Sequence, residues 1–291
     1  MDIAHRDAFP RLVEAFDGAD AVVHAAWLIQ PSRQRADLHR VNVTGTSVLL
    51  DALAVAKVPH LVYLSSVGTY APKDRGGPVG EDWPTTGVPT SDYSRDKAEV
   101  EAVLDRFEAA RPGIAVTRLR PGLVLQRRSA SELRRYFTGR LVPRALWKVV
   151  RSGRLPALPL PSGLAIQFVH AADVATAALA AIDRQYRGPL NLAADPIMDT
   201  GALAAAVGAR PLPVPARAVR AAVAGAWRSR LVPVPPSWID LAMAVPVMSA
   251  DRAKADLDWA PRWSATETLG DLLAGLAEGD GVPASPPLRP E

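Results

Sequence analysis

Tyr93-Ser94-Arg95-Asp96-Lys97 sets a phenol and an ammonium four residues apart, in a stretch that begins a helix. That spacing puts both side chains on one helix face. A free phenol, with a pKa near 10, is a poor base at neutral pH. A neighbouring ammonium favours the phenolate and makes the tyrosine a usable proton shuttle. Upstream, the apolar run Leu61–Leu64 delivers Ser65 and Ser66 at its C-terminal end, and either hydroxyl could orient a substrate oxygen. Downstream, VTRLRPGLVL is a second apolar strand that carries Arg120-Pro121-Gly122. Lys97 is one of only five lysines, so its place beside Tyr93 is unusual for this composition.

These residues must be positioned by an alternation of strands and helices, the pattern of a parallel sheet covered on both faces. Asp7–Asp17 is expected as a helix, Ala21–Ala26 as a strand, Arg35–Lys57 as one helix and His60–Leu64 as a strand. Ala71–Pro89 is a long Gly/Pro/Asp loop, Ser91–Ala110 a helix stopped by Pro112-Gly113, and Ile114–Leu119 a strand. Beyond Gly122 the pattern loosens. Ser129–Val150 is expected as helix, Leu155–Pro161 as extended chain, Ala172–Ile182 as helix and Leu190–Ala193 as strand. Thr200–Val207, Ala218–Trp227 and Trp238–Val245 are expected as helices, with Arg210–Pro215 and Leu231–Pro236 as proline-rich connectors.

The chain resembles the extended short-chain dehydrogenase/reductase superfamily, of the NAD-dependent epimerase/dehydratase type. The resemblance rests on Ser66, the Tyr93–Lys97 pair, ADAVVHAAW (19–27), VNVTGTSVLLDAL (41–53), FVHAADVATAAL (168–179), GPLNLA (188–193) and DLDWAPRWS (256–264). It implies a Rossmann-like, doubly wound α/β fold with a smaller C-terminal substrate lobe, and NAD or NADP as cofactor. By this resemblance Tyr93 is the general acid/base, and Lys97 also hydrogen-bonds the nicotinamide ribose. Tyr70 marks the place that selects Ser66 over Ser65. Asp2 and Ile3 would hold the adenine. Ala25, Ala26 and Trp27, at a strand end, would lie along the dinucleotide, with Asn42 nearby. Pro121 and Gly122 would line the nicotinamide through their backbone. The expected division is a partial dinucleotide-binding unit over 1–125, a mixed lobe over 126–278 with core elements returning at 166–193, and a disordered tail over 279–291.

One family element is missing from the sequence. None of Gly18, Gly45, Gly68, Gly76, Gly77, Gly80 or Gly87 forms the G-x-x-G-x-x-G turn between a strand and a helix that binds a pyrophosphate. The expectation is a chain that begins at the third strand of the fold and lacks two βα units. A late start, a broken gene and a true remnant are all open origins.

With no cysteine in 291 residues, disulfides, thiol chemistry and cysteine metal sites are excluded. The opening residues lack the apolar core of a signal peptide, and no run of 18 apolar residues occurs, so a cytoplasmic protein with no membrane partner is expected. A net charge of +4 reflects an arginine-rich composition, and nucleic acid is not an expected partner. A small-molecule substrate is expected, and a homodimer is compatible with the fold. His24, in a strand, is expected as a core histidine. His170 and Asp173 have the look of a metal or acid–base pair but are expected to be architectural, and no metal is expected. Many nucleotide-sugar members of the resembled family carry an Asn soon after this arginine; the run Arg120–Gln126 has none, so the resemblance disfavours a nucleotide sugar. The expected function is therefore an NAD(P)-dependent oxidoreductase acting on a carbonyl or alcohol. A nucleotide-sugar epimerase or dehydratase, and a non-catalytic or dinucleotide-sensing remnant, are the alternatives.

Overall fold

A computed structural model describes residues 2–5, 7–29, 34–73, 76–138 and 144–282. Its centre is a four-stranded, fully parallel sheet. Strands β1 (Val22–His24), β2 (His60–Leu64) and β3 (Ala115–Pro121) lie side by side in that order, and Gly188–Leu192 follows β3. Val22 pairs with Leu61, His60 with Ala115 and Thr117 with Gly188. The near-continuous apolar runs of β2 and β3 have the signature of strands buried on both faces.

Alternate residues of β2 feed two cores. Leu61 and Tyr63 pack with helices α1 (Ala8–Phe16), α3 (Gly45–Val55) and α4 (Asp92–Ala110). Val62 packs on the other face with the helix Ala171–Asp183, Leu190, Leu192 and Trp259. The α/β doubly wound expectation is met. Among the described residues β1 has a neighbour on one side only, and Val23 on it is 51% exposed.

Three local expectations are corrected. The helix expected over Arg35–Lys57 is divided: α2 (Arg35–His39) passes through a π-helical turn, Arg40–Thr44, into α3. Thr46 Oγ1 donates to the Asn42 carbonyl of that turn at 2.6 Å, a back-bond that competes with the regular helical ladder. The helix expected over Ser129–Val150 is a short helix (Ala130–Leu133), a π-helical turn (Arg134–Thr138) and a separate helix (Arg144–Arg151). Residues 139–143 lie outside the described residues. Arg210–Val214, expected as a connector, is a strand parallel to Ala157–Pro161. Proline removes a ladder donor, so it is confined to edges. In a two-stranded sheet both strands are edges, and this pair tolerates Pro159, Pro161, Pro211 and Pro213.

The smaller lobe adds Ala216–Arg228 and Ser237–Ala244. The helix Ala265–Glu278 opens with a capping box between Ser264 and Glu267 and ends at Gly279 in the left-handed region. Asp280 pairs with Arg127, while residues 283–291 of the expected tail lie outside the described residues. No described helix is long and apolar enough to cross a membrane.

Candidate active site

Helix α4 starts where Ser91 accepts a hydrogen bond from the Ser94 amide. Its first two turns then carry Tyr93 and Lys97 toward the C-terminal end of β2. There the chain leaves the strand through Ser65 and Ser66. Ser66 is buried, lies beside the Tyr93 ring, and accepts the Gly68 amide at 3.0 Å. A Cβ on Gly68 would stand 3.0 Å from Tyr93 Cε1 and 3.4 Å from Ser66 Oγ, so the missing side chain is what admits the phenol ring. The other serine has a different employment: Ser65 Oγ donates to Glu101 Oε1 at 2.6 Å.

Lys97 is 3% exposed. Its ammonium donates to the Leu64 carbonyl at 2.8 Å and to the Tyr63 hydroxyl at 3.2 Å. The Trp27 ring stands over it, with its centroid 3.6 Å from Nζ. Burial pulls the Lys97 ammonium down to about 7, against the nearby Glu101 carboxylate, which favours the charged form. The expected lowering of the Tyr93 pKa is corrected. Burial pushes the phenol above its ordinary value, and the Ser66 hydroxyl beside it opposes the rise.

Glu101, absent from the sequence-based set, lies four residues beyond Lys97 on the same helix face. Burial works against its charge, but the Arg120 guanidinium and the Ser65 hydroxyl hold its carboxyl below the ordinary value. Arg120 grips it through two bonds of 2.9 Å and also reaches the Tyr70 hydroxyl at 3.0 Å. The unbroken i,i+4 series Tyr93–Lys97–Glu101 was the available signal. Trp238 is the second omission. It comes from the smaller lobe, its ring centroid is 5.3 Å from that of Tyr93, and no local pattern points to it.

The remaining candidates fall into distinct places. Trp27 faces the site, with its centroid 6.1 Å from that of Tyr93. Ala25 and Ala26 are exposed at the end of β1. Asn42 clips the following segment: its amide accepts from Leu28 N at 2.8 Å and donates to Leu28 O at 3.0 Å. Pro121 and Gly122 are buried. Gly122 N donates to Leu192 O, and a Cβ there would meet Gln167 O at 2.5 Å. Asp2 is exposed and paired with Arg40, while Ile3 packs on Gly45.

His24 is a core residue. It bonds Thr46 Oγ1 at 2.9 Å, and burial, with the charge of Lys97 adding, pushes it down to about 4. His170 caps a helix, and Asp173 accepts the Arg262 and Trp263 amides, so both are architectural. His39, Asp96 and Glu99, which the sequence did not single out, bring ligand-type atoms within 4.8 Å of one another. They join α2 to α4 through His39–Asp96 at 3.1 Å and His39–Glu99 at 3.8 Å.

A cleft enclosing roughly 490 Å³, part of it open solvent, lies in front of Tyr93. Its walls include Trp27, Leu28, Leu38, Asn42, Pro235 and Trp238. A dinucleotide fits this structure in part. At the strand ends, Tyr93, Lys97 and the exposed Ala25–Ala26 backbone suit a nicotinamide riboside, and Trp27 Nε1 is a buried donor with no partner. Among the described residues, no glycine-rich turn between a strand and a helix offers a pyrophosphate its amides.

Comparison with known proteins agrees with this fold. The profile of the NAD dependent epimerase/dehydratase family matches residues 1–193. A 4-hydroxy-2-methyl-3-oxo-4-farnesyl-3,4-dihydroquinoline-1-oxide ketoreductase of Stigmatella aurantiaca is 30% identical over 122 residues, 42% of this chain and 35% of that protein. An uncharacterized protein of Mycobacterium bovis is 25% identical over 260 residues, 88% of this chain and 65% of that protein. The chain thus spans less than two thirds of either relative. A UDP-glucose-4-epimerase from Stenotrophomonas maltophila, crystallised with bound NAD and formylated UDP-arabinopyranose, superposes with a TM-score of 0.69 at 22% identity. That match covers 96% of this chain and 82% of the other, and it speaks for the fold alone.

Proposed function

Because this chain belongs to the NAD-dependent epimerase/dehydratase family, we propose that it is an NAD(P)-dependent oxidoreductase acting on the carbonyl or alcohol of a small molecule. The observation that carries this reading is the meeting of the Tyr93 ring with Ser66 and Gly68 at the end of β2, with the buried Lys97 one helical turn away. When bound, the nicotinamide supplies hydride chemistry. Tyr93, Lys97 and the Ala25–Ala26 backbone are the residues that would hold its riboside end.

Tyr93 gives a proton to the substrate oxygen in reduction and takes it back in oxidation. A phenol whose pKa is raised by burial holds its proton at neutral pH, which suits the donor role. Ser66 orients both the phenol and the substrate oxygen. Lys97, one helical turn further along α4, would stabilise the phenolate that remains after proton transfer, and a charge in a buried site does so more than it would in water. Glu101, fixed by Arg120, sits behind Lys97 and keeps its proton from being lost entirely to desolvation.

Tyr93→Phe tests the assignment. Turnover of a carbonyl substrate with NADH or NADPH is expected to fall about 10² to 10⁴-fold, the usual size of a lost general acid, with substrate affinity largely retained. Near-normal turnover in this variant overturns the role given to Tyr93.

A further inference from the structure

Acidic residues are absent from two long stretches of the chain. Residues 133–172 and 200–239 carry 12 of the 34 Lys and Arg and none of the 30 Asp and Glu, where an even spread would place about eight acids. The remaining residues hold 22 basic against 30 acidic side chains, so an arginine-rich composition does not account for the separation. The fold brings the two stretches together. Their strands Ala157–Pro161 and Arg210–Val214 pair in parallel. Just before those strands a Cβ on Gly208 would stand 2.9 Å from Gly153 Cα, so the turns that lead to Arg154 and Arg210 are in contact. Arg151 is paired with Glu278 and Arg220 with Asp240. Lys148, Arg154, Arg210, Arg217, Arg228 and Arg230 are exposed, and among the described residues none of them has a carboxylate partner. No residue of the helix Ala216–Arg228 is buried, and Arg217 and Arg228, three turns apart, share its outward face. The same two stretches expose Leu146, Val149, Leu212 and Leu231, each between 42% and 58%.

From this we infer that the basic lobe docks on the surface of an anionic phospholipid bilayer. Like charges gathered without counter-charges repel one another in the free protein, and an anionic surface relieves that repulsion. Each Lys or Arg that comes near such a surface adds to the attraction. The exposed leucines and valine select lipid over nucleic acid. They gain nothing from phosphates in water, but beside basic side chains they can enter the boundary between headgroups and acyl chains. No described helix is long and apolar enough to cross a membrane, so the contact is one of surface docking.

Co-sedimentation of the chain with vesicles tests it. Binding to vesicles of equal parts phosphatidylcholine and phosphatidylglycerol is expected, with little binding to phosphatidylcholine alone, and it is expected to weaken as salt rises. Arg217→Gln, Arg228→Gln and Arg230→Gln combined are expected to weaken it about 10²-fold, roughly fivefold for each charge. Lys148→Gln with Arg154→Gln is expected to weaken it about 25-fold, and reads the first stretch should the triple variant fail to fold. Leu212→Ser with Leu231→Ser is expected to weaken vesicle binding and to leave any binding of a DNA duplex unchanged. Equal retention on the two kinds of vesicle overturns the inference. So does an absence of retention on the anionic vesicles, or retention indifferent to the charge substitutions or to the leucine substitutions. Tighter binding of a DNA duplex than of the anionic vesicles at the same salt overturns it in favour of nucleic acid.

Discussion

At Lys97 two demands meet: the ammonium must be near the phenol, and it must be buried to be there. The cost is visible in its pKa, which burial takes from 10.5 to about 7. Between those two values the unfolded chain binds a proton that the folded chain does not, so this group makes stability rise with pH across that window. Below about pH 7 the full penalty applies, on the order of 5 kcal/mol. Lys97→Met is therefore expected to be more stable than wild type at pH 6 by roughly that amount, and the difference is expected to shrink toward pH 10. Urea denaturation of both proteins across this range checks it. A difference that is constant with pH shows that the ammonium is not desolvated. Glu101 moderates the penalty, and its own burial is offset by Arg120 and Ser65.

At the scale of elements, the turn after β2 decides how closely α4 can approach. Ser94 donates to the Gly68 carbonyl and accepts the Val88 amide at 2.6 Å, so the turn and the long loop are fastened to the first turn of α4. Gly68→Ala puts a methyl group 3.0 Å from the Tyr93 ring without touching the core. Turnover is expected to drop about tenfold or more while the melting temperature changes little, because misplacing a reacting group is costly to rate and cheap in stability. A kinetic assay paired with a thermal melt decides it, and unchanged turnover means the phenol has room to shift. The parts of the site that were legible in the sequence share one property: their pattern is local. His60–Leu64 reads as a buried strand from its own apolar run, and Tyr93 with Lys97 reads from helical spacing. Glu101 was legible by the same spacing but looks like any exposed helix carboxylate until Arg120 is brought to it by β3. Trp238 and the Asn42–Leu28 clip depend on chain segments meeting in space, and nothing in their neighbourhoods encodes the partner. The Arg210–Val214 strand was hidden by its prolines, which ordinarily argue against a ladder.

For the molecule as a whole, the sheet has an open side. β1 is short, its outer edge is unpaired among the described residues, and Val23 there is half exposed. Unpaired edges with apolar side chains invite pairing with other strands. The chain is expected to self-associate as concentration rises, and Val23→Lys is expected to suppress this, as judged by size-exclusion chromatography with light scattering. Association that is unaffected by the substitution places the contact elsewhere. A different whole-molecule property follows from the Trp27 ring lying 3.6 Å from the Lys97 ammonium. The protein has seven tryptophans, and this one carries a charge against its π-face that titrates near neutrality. Its excited state is polarised by that charge, so the emission spectrum of the intact protein contains a component that shifts as Lys97 loses its proton. A fluorescence titration is expected to show a midpoint near pH 7 that disappears in Lys97→Met, giving the buried ammonium its own optical signal, readable with no substrate and no assay.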